Sequence, residues 1–151
     1  MITFHTGNLL QSNAFALVNT VNTVGVMGKG IALQFKNEFP HNYAVYREAC
    51  KNHQLEVGHL LDVRDNSLLL GERLIINFPT KTHWCLPSEY PYIEQGLEAL
   101  TLFITNKKIE SIALPALGCG NGGLDWLVVK DMIRRYLDPL DAAIEVFKPW
   151  Q

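Results

Sequence analysis

Asn22-Thr23-Val24-Gly25-Val26-Met27-Gly28-Lys29-Gly30-Ile31-Ala32 places a glycine-rich turn between an apolar stretch and an amphipathic one. Glycines at 25, 28 and 30 let the backbone take φ > 0 and come close to a ligand, at an entropic cost that an ordinary turn does not incur. A helix starting near Ile31 turns its free N–H groups and the positive end of its dipole toward the loop, which favours a phosphate or another anion there. The segment therefore reads as a phosphate-cradling loop, with a plain tight turn as the bland alternative. It is not an NTPase loop. Two residues separate Gly25 from Gly28 where that pattern needs four, and Gly30 follows Lys29 where a magnesium-holding hydroxyl would stand.

The flanking chain supplies strands and helices in alternation. Upstream, residues 2–5 and 15–18 read as strands separated by a turn at Gly7-Asn8, and Asn19-Thr-Val-Asn22 carries the second strand to the glycine loop. Downstream, Ile31, Phe35 and Phe39 recur on one helix face until Pro40 stops it, and Val45 and Ala49 line a second helix over residues 42–51. Residues 60–63, 68–70 and 74–78 are short apolar runs that predict three strands at the sheet edge, joined by turns at Asp65-Asn66-Ser67 and Gly71-Glu72. Residues 77–89, with Pro79 and Pro87, form a loop longer than a plain connection, and such loops tend to carry function. A helix striped by Ile93, Leu97, Leu100 and Ile104 follows. Residues 109–114 then run as a strand into Pro115-Ala-Leu-Gly118-Cys-Gly120-Asn-Gly122-Gly123-Leu-Asp125. Asp125 has the place of an N-cap for a helix carrying Val129, Ile133 and Leu137, and residues 143–147 supply the last strand. This order predicts an α/β fold of three layers, a mixed, largely parallel sheet covered on both faces, with ligand sites at the carboxyl ends of strands.

Composition narrows the class. The 151 residues, 48% hydrophobic and 19% charged, suit one domain that buries roughly two-thirds of its unfolded surface. No apolar run approaches the roughly 18 residues of a membrane span. The opening Met1-Ile-Thr-Phe-His lacks the basic and apolar regions of a signal peptide, which predicts a cytoplasmic setting. Cys50, Cys85 and Cys119 are odd in number and far apart, which argues against a disulfide framework. His83 and Cys85 fall short of the three or four ligands zinc needs, so no metal is expected. A net charge of −2 excludes the basic footprint of a general DNA binder and leaves room for a local contact surface.

Gly118, Gly120 and Gly123 satisfy G-x-G-x-x-G after a strand and before a helix. A dinucleotide-binding unit also needs an acidic residue about twenty positions on, at the end of the next strand. Position 143 is Ala, and Glu145 lies inside the last strand. Such a unit would also open the domain, not close it. Two glycine loops at strand ends point instead to a groove that holds a diphosphate from both sides.

At these residues the chain resembles a macrodomain, the α/β/α module that binds ADP-ribose. Gly25-Val-Met-Gly-Lys-Gly-Ile-Ala-Leu, Asn77-Phe-Pro-Thr-Lys81-Thr-His-Trp84, Tyr92-Ile-Glu-Gln-Gly-Leu and Ala113-Leu-Pro-Ala-Leu-Gly-Cys-Gly-Asn-Gly-Gly-Leu-Asp125-Trp126 look like the terminal ADP-ribose glycohydrolase subgroup. Within it the similarity is to antitoxin macrodomains that remove ADP-ribose from thymidine bases in DNA, and it runs from Met1 to about Leu137. The resemblance implies a hydrolase of a glycosidic bond, acting on ADP-ribosylated single-stranded DNA without a cofactor. Its expected partners are that DNA, free ADP-ribose and a cognate DNA ADP-ribosyltransferase toxin, with no membrane and no metal. The 151 residues would form one macrodomain, whole or as the N-terminal part of a longer antitoxin.

The same resemblance puts Lys81 and Asp125 in a catalytic pair and Asn22 beside the distal ribose. It assigns ADP-ribose contacts to Asn8 and Leu9 at the first turn, to Asn19 at the strand end and to Thr80. In the first glycine loop it adds Gly25, Val26, Met27, Gly28, Gly30 and Ile31. In the second loop it takes Pro115, Leu117, Gly118, Cys119 and Gly120, and then Asn121, Gly122, Gly123 and Leu124. One departure stands out. Many macrodomains carry Gly-Asp at the first turn, where the carboxylate accepts from the adenine amino group; Asn8 can accept there and donate to a ring nitrogen, without charge assistance.

A desolvated lysine can attack the anomeric carbon of the distal ribose while a carboxylate shuttles the proton. The bland alternatives are a solvated loop lysine at Lys81, a helix cap at Asp125 and a turn residue at Asn22. Lys29 reads as either a phosphate contact or a solvated side chain. Trp84, with His83 beside it, is the candidate DNA contact, because aromatic faces stack the bases of single strands; Tyr92 reads as core. Hydrolysis of ADP-ribose esters on protein Glu or Asp, and non-catalytic ADP-ribose binding, remain open as alternative functions.

Overall fold

Residues 16–18 show how the layers arise. Ala16 and Val18 point to one face of a sheet and Leu17 to the other, and all three are fully buried. In the computed structural model, which describes residues 1–149, that sheet has six strands. They are β1 (Ile2–His5), β2 (Ala16–Asn22), β3 (Leu61–Ser67), β4 (Gly71–Lys81), β5 (Ser111–Pro115) and β6 (Ala143–Phe147), in the order β1-β6-β5-β2-β4-β3. Every adjacent pair is parallel except β3 with β4. The helices are α1 (Gly30–Glu38), α2 (Pro40–Lys51), α3 (Tyr90–Asn106) and α4 (Trp126–Leu137).

On one face, Val18, Ile76, Phe78, Ile112, Leu114 and Val146 meet Ile93, Leu97 and Leu100 of α3 and Val129 and Ile133 of α4. On the other, Leu17, Ile75 and Ala113 meet Phe35 of α1 and Phe39 at its C-cap, while Val21 meets Tyr46 and Cys50 of α2. Full burial of each large side chain contributes about 1.5–3 kcal/mol. The three-layer α/β/α arrangement with a mixed, largely parallel sheet is the one expected. Among the described residues no helix is long and apolar enough to cross a membrane.

Several boundaries differ from expectation: the turn expected at Asp65-Asn66-Ser67 is the end of β3, and that at Gly71-Glu72 is the start of β4. Residues 68–70 are not a strand but the β3–β4 turn, with Leu68 and Leu69 exposed. The cause is Ser67, whose Oγ accepts from the backbone N–H groups of Leu69 (3.2 Å) and Leu70 (3.1 Å) and fixes the turn despite its apolar sequence. β4 runs on to Lys81 through Pro79, so the functional loop begins later than expected. β3 begins at Leu61 opposite Asn77, which leaves β4 without a second strand neighbour at Pro79 and its missing N–H without consequence. Pro40 both stops α1 and starts α2, because its fixed φ suits the first turn of a helix.

Asn19 lies mid-strand and fully buried. Its Nδ2 lies 3.4 Å from Asn77 Oδ1 and 3.8 Å from Met27 Sδ. Asn77 and Asn42 exchange amide hydrogen bonds of 2.8 and 3.2 Å, and this buried chain ties β2, β4 and α2 together.

Candidate functional site

Because β1, β6, β5, β2 and β4 are all parallel, their carboxyl ends meet along one rim. A cleft of about 860 Å³ opens there, lined by residues that leave each of those strands. The rim thus joins the two glycine loops that are far apart in sequence.

Asn22, at the end of β2, organises the first loop. Its Oδ1 accepts from the backbone N–H of Val24 (3.1 Å) and of Val26 (3.3 Å), and its Nδ2 donates to the Val26 carbonyl at 2.8 Å. Tyr46 Oη reaches it from α2, 2.8 Å from the Asn22 carbonyl and 2.9 Å from Oδ1. Burial pushes the Tyr46 phenol well above the usual tyrosine range, with Cys50 beside it adding to the shift, so it stays a proton donor. Replacing Tyr46 with Phe is expected to cost about 1–2 kcal/mol in denaturant unfolding, because a buried acceptor loses its donor. Faster amide exchange at Val24 and Val26 should accompany it. Unchanged stability and exchange would show that Asn22 holds the loop without the phenol.

The pairing of β2 with β4 then brings two of the three candidate catalytic residues, Asn22 and Lys81, together. Val21 lies opposite Pro79 but Asn22 lies opposite Lys81, so the register shifts by one residue at Thr80. Such an irregularity re-aims side chains at the end of a ladder. Here it sets Asn22 and Lys81 side by side on the cleft rim. Lys81 is half-buried, and its Nζ has one long contact, 3.4 Å to the Trp84 carbonyl.

Residues 82–89 bridge the loops. Thr23 Oγ1 donates to the Thr82 carbonyl at 2.8 Å on one side, and Ser88 N–H donates to the Gly122 carbonyl at 3.0 Å on the other. At the crest, Trp84 is 54% exposed, tilted over His83 with ring centroids 5.4 Å apart. Cys85 Sγ lies 3.0 Å from His83 Nδ1.

The second loop is a 3-10 turn, Gly120–Gly122, between tight turns. Gly118 has φ +72°, and a Cβ there would sit 2.7 Å from Leu124 Cδ1, so both its backbone and its surroundings demand glycine. Asp125 caps α4, its Oδ1 accepting from Leu127 N–H at 2.9 Å, while its own N–H donates to Tyr90 Oη at 3.1 Å. Burial pushes the Cys119 thiol up to about 11, and the Asp125 carboxylate adds to that shift, so its charge is felt at the cleft wall.

Of the residues singled out from sequence, Asn8, Leu9, Asn22, Thr80, Lys81 and Trp84 line the cleft. So do Val26, Gly28, Gly30 and Ile31 of the first loop, and Pro115 with residues 118–123 of the second. Others stand behind it. Asn19 and Met27 are buried beneath the first loop, Gly25 faces Cys50 of α2, and Leu117 and Leu124 pack into the core. His83 and Asp125 lie outside the lining. Asn8 Oδ1 caps Leu10 N–H at 2.9 Å and its Nδ2 donates to Gln34 Oε1 at 2.6 Å. Gln34, Ser88 and Phe147 line the cleft without having been singled out. Phe147 could have been found as the carboxyl end of the last strand; Gln34 and Ser88 carry no local signal. Among the described residues no group of three His, Cys, Asp or Glu side chains could hold a metal.

The Macro domain family model matches residues 18–133. The DNA ADP-ribosyl glycohydrolase of Thermus aquaticus is 50% identical over 150 residues, covering 99% of this chain and 41% of that protein. The macrodomain of Mycobacterium tuberculosis DarG superposes with a TM-score of 0.93 at 46% identity, covering 100% of this chain and 99% of that one. Thermosipho africanus DarTG in complex with ADP-ribose gives a TM-score of 0.91 at 37% identity, covering 98% of this chain and 41% of that one. The chain spans about two-fifths of the length of the curated relatives it matches at 40% identity or more.

Proposed function

The chain belongs to the macrodomain family, and from that membership we propose that it is a DNA ADP-ribosyl glycohydrolase, the antitoxin activity of a toxin–antitoxin pair. Its substrate is ADP-ribose attached to thymidine in single-stranded DNA. The observation that carries this is the single cleft joining both glycine loops to the Asn22–Lys81 pair. In it the diphosphate lies between the backbone N–H groups of the two loops, the adenine toward Asn8 and the distal ribose toward Asn22 and Lys81.

The Lys81 amine attacks the anomeric carbon of the distal ribose as the bond to the base breaks, and the proton passes to the departing base. Water then releases ADP-ribose and restores the lysine. Asp125 moves the proton through the carboxylate oxygen not used in the helix cap, and its position as N-cap is compatible with that work. Asn22 positions the loop around the ribose. Residues 1–151 act as the macrodomain of a cytoplasmic antitoxin whose partner is a DNA ADP-ribosyltransferase, supported by the greater length of the relatives and by the Thermosipho africanus fusion of the two activities.

The test is release of labelled ADP-ribose from a thymidine-modified oligonucleotide beside a Glu-modified protein. Faster release from the oligonucleotide is expected; equal or faster release from protein would reassign the substrate. Trp84→Ala should raise KM for the modified oligonucleotide by about 5- to 150-fold, since one stacked base is worth about 1–3 kcal/mol, and leave the affinity for free ADP-ribose unchanged. Equal losses on both ligands would place Trp84 in the nucleotide pocket.

A further inference from the structure

Two buried side-chain atoms among the described residues lack a hydrogen-bond partner, Asn19 Oδ1 and Ser88 Oγ. Asn19 lies behind the first loop, whereas Ser88 is a wall residue of the cleft and only 4% exposed. An orphaned buried hydroxyl is costly, and buried polar groups are otherwise nearly always paired. Its surroundings are built around it. A Cβ at Gly122 would sit 2.5 Å from Ser88 Oγ, and one at Gly118 would sit 3.2 Å from Ser88 Cβ, so two glycines of the second loop form its socket. The Ser88 N–H, bonded to the Gly122 carbonyl at 3.0 Å, fixes the backbone beside that loop.

We propose that Ser88 is a ligand-binding residue whose hydroxyl, without a partner among the described protein groups, turns out of this socket to donate to a phosphoryl oxygen of the bound diphosphate. The inference rests on the assignment of the cleft to ADP-ribose. An anionic phosphoryl oxygen is the strongest acceptor such a ligand offers a hydroxyl, and the second glycine loop brings that oxygen to the socket. The hydroxyl therefore opposes folding in the empty protein and favours the complex.

That opposition of signs sets the test. Removing the hydroxyl in S88A should raise the Tm of the ligand-free protein by about 2–4 °C, the shift that relief of one unsatisfied group gives a domain of this size. The same variant should bind ADP-ribose about tenfold more weakly by calorimetry, the loss of one hydrogen bond to a charged group. A lower Tm in the empty variant would make Ser88 structural and overturn the proposal, whatever the affinity. ADP-ribose affinity equal to that of the wild type would also overturn it, with the cleft assignment intact. A wild-type protein that does not bind ADP-ribose would overturn the cleft assignment, and the role of Ser88 with it.

Discussion

A Lys81→Ala protein is expected to bind ADP-ribose with near-wild-type affinity and to release it from thymidine-modified DNA at least about 10³-fold more slowly, as loss of a nucleophile does elsewhere. Both halves follow from geometry. In the proposed binding mode the diphosphate and adenine lie against the loops after β1, β2 and β5 and against Ser88, whereas Lys81, at the end of β4, reaches the nucleotide only at the distal ribose. Among the described residues the Lys81 side chain makes one hydrogen bond, the 3.4 Å contact to the Trp84 carbonyl. Truncation should leave the cleft intact. Calorimetry and single-turnover rates on one preparation check the two halves together. A folded Lys81→Ala protein with near-wild-type turnover would remove the nucleophile and pass the chemistry to Asp125 acting on water.

The largest effect on stability is expected from Gly96→Ala in α3. On an exposed helix this change would add about 1 kcal/mol, because alanine costs less backbone entropy. Here the added Cβ would collide with Cζ and Cε1 of the Phe78 ring. Phe78 is fully buried in β4 among Ile93, Leu97 and the strands beside it, so its ring has no free space to enter. Either α3 lifts from the sheet or Phe78 leaves its rotamer, at the upper end of the usual overpacking cost, about 3 kcal/mol or more. The net loss is about 2 kcal/mol or more, visible in denaturant unfolding. A Gly96→Ala protein as stable as the wild type would show that the α3–β4 contact is more compliant than a close-packed core.

What could be read from sequence was what depends on neighbours within one turn or one strand. The glycines of both loops, the stripes of α3 and α4 and the N-cap at Asp125 are local, and the structure has them where the spacing placed them, whereas α2 turns Tyr46 and Cys50 inward in place of Val45. The turn at residues 68–70 was missed because one hydroxyl, Ser67 Oγ, outweighs three leucines, of which Leu68 and Leu69 stay exposed and Leu70 alone packs against the core. The role of Asn22 as loop organiser depends on Tyr46 from another element, 24 residues away. The Asn22–Lys81 juxtaposition depends on a register shift between β2 and β4 that neither strand announces alone. Ser88 carries no motif at all; only the missing Cβ atoms of Gly118 and Gly122 reveal its socket.

The central claim is that this chain breaks the bond between ADP-ribose and a DNA base. Its most direct test is a single-turnover reaction with protein in excess over a thymidine-ADP-ribosylated single-stranded oligonucleotide, quenched and resolved by mass. The account predicts unmodified oligonucleotide and free ADP-ribose in equal amounts. Intact modified oligonucleotide, bound to the protein but never cleaved, would contradict it and make the domain a reader of ADP-ribose.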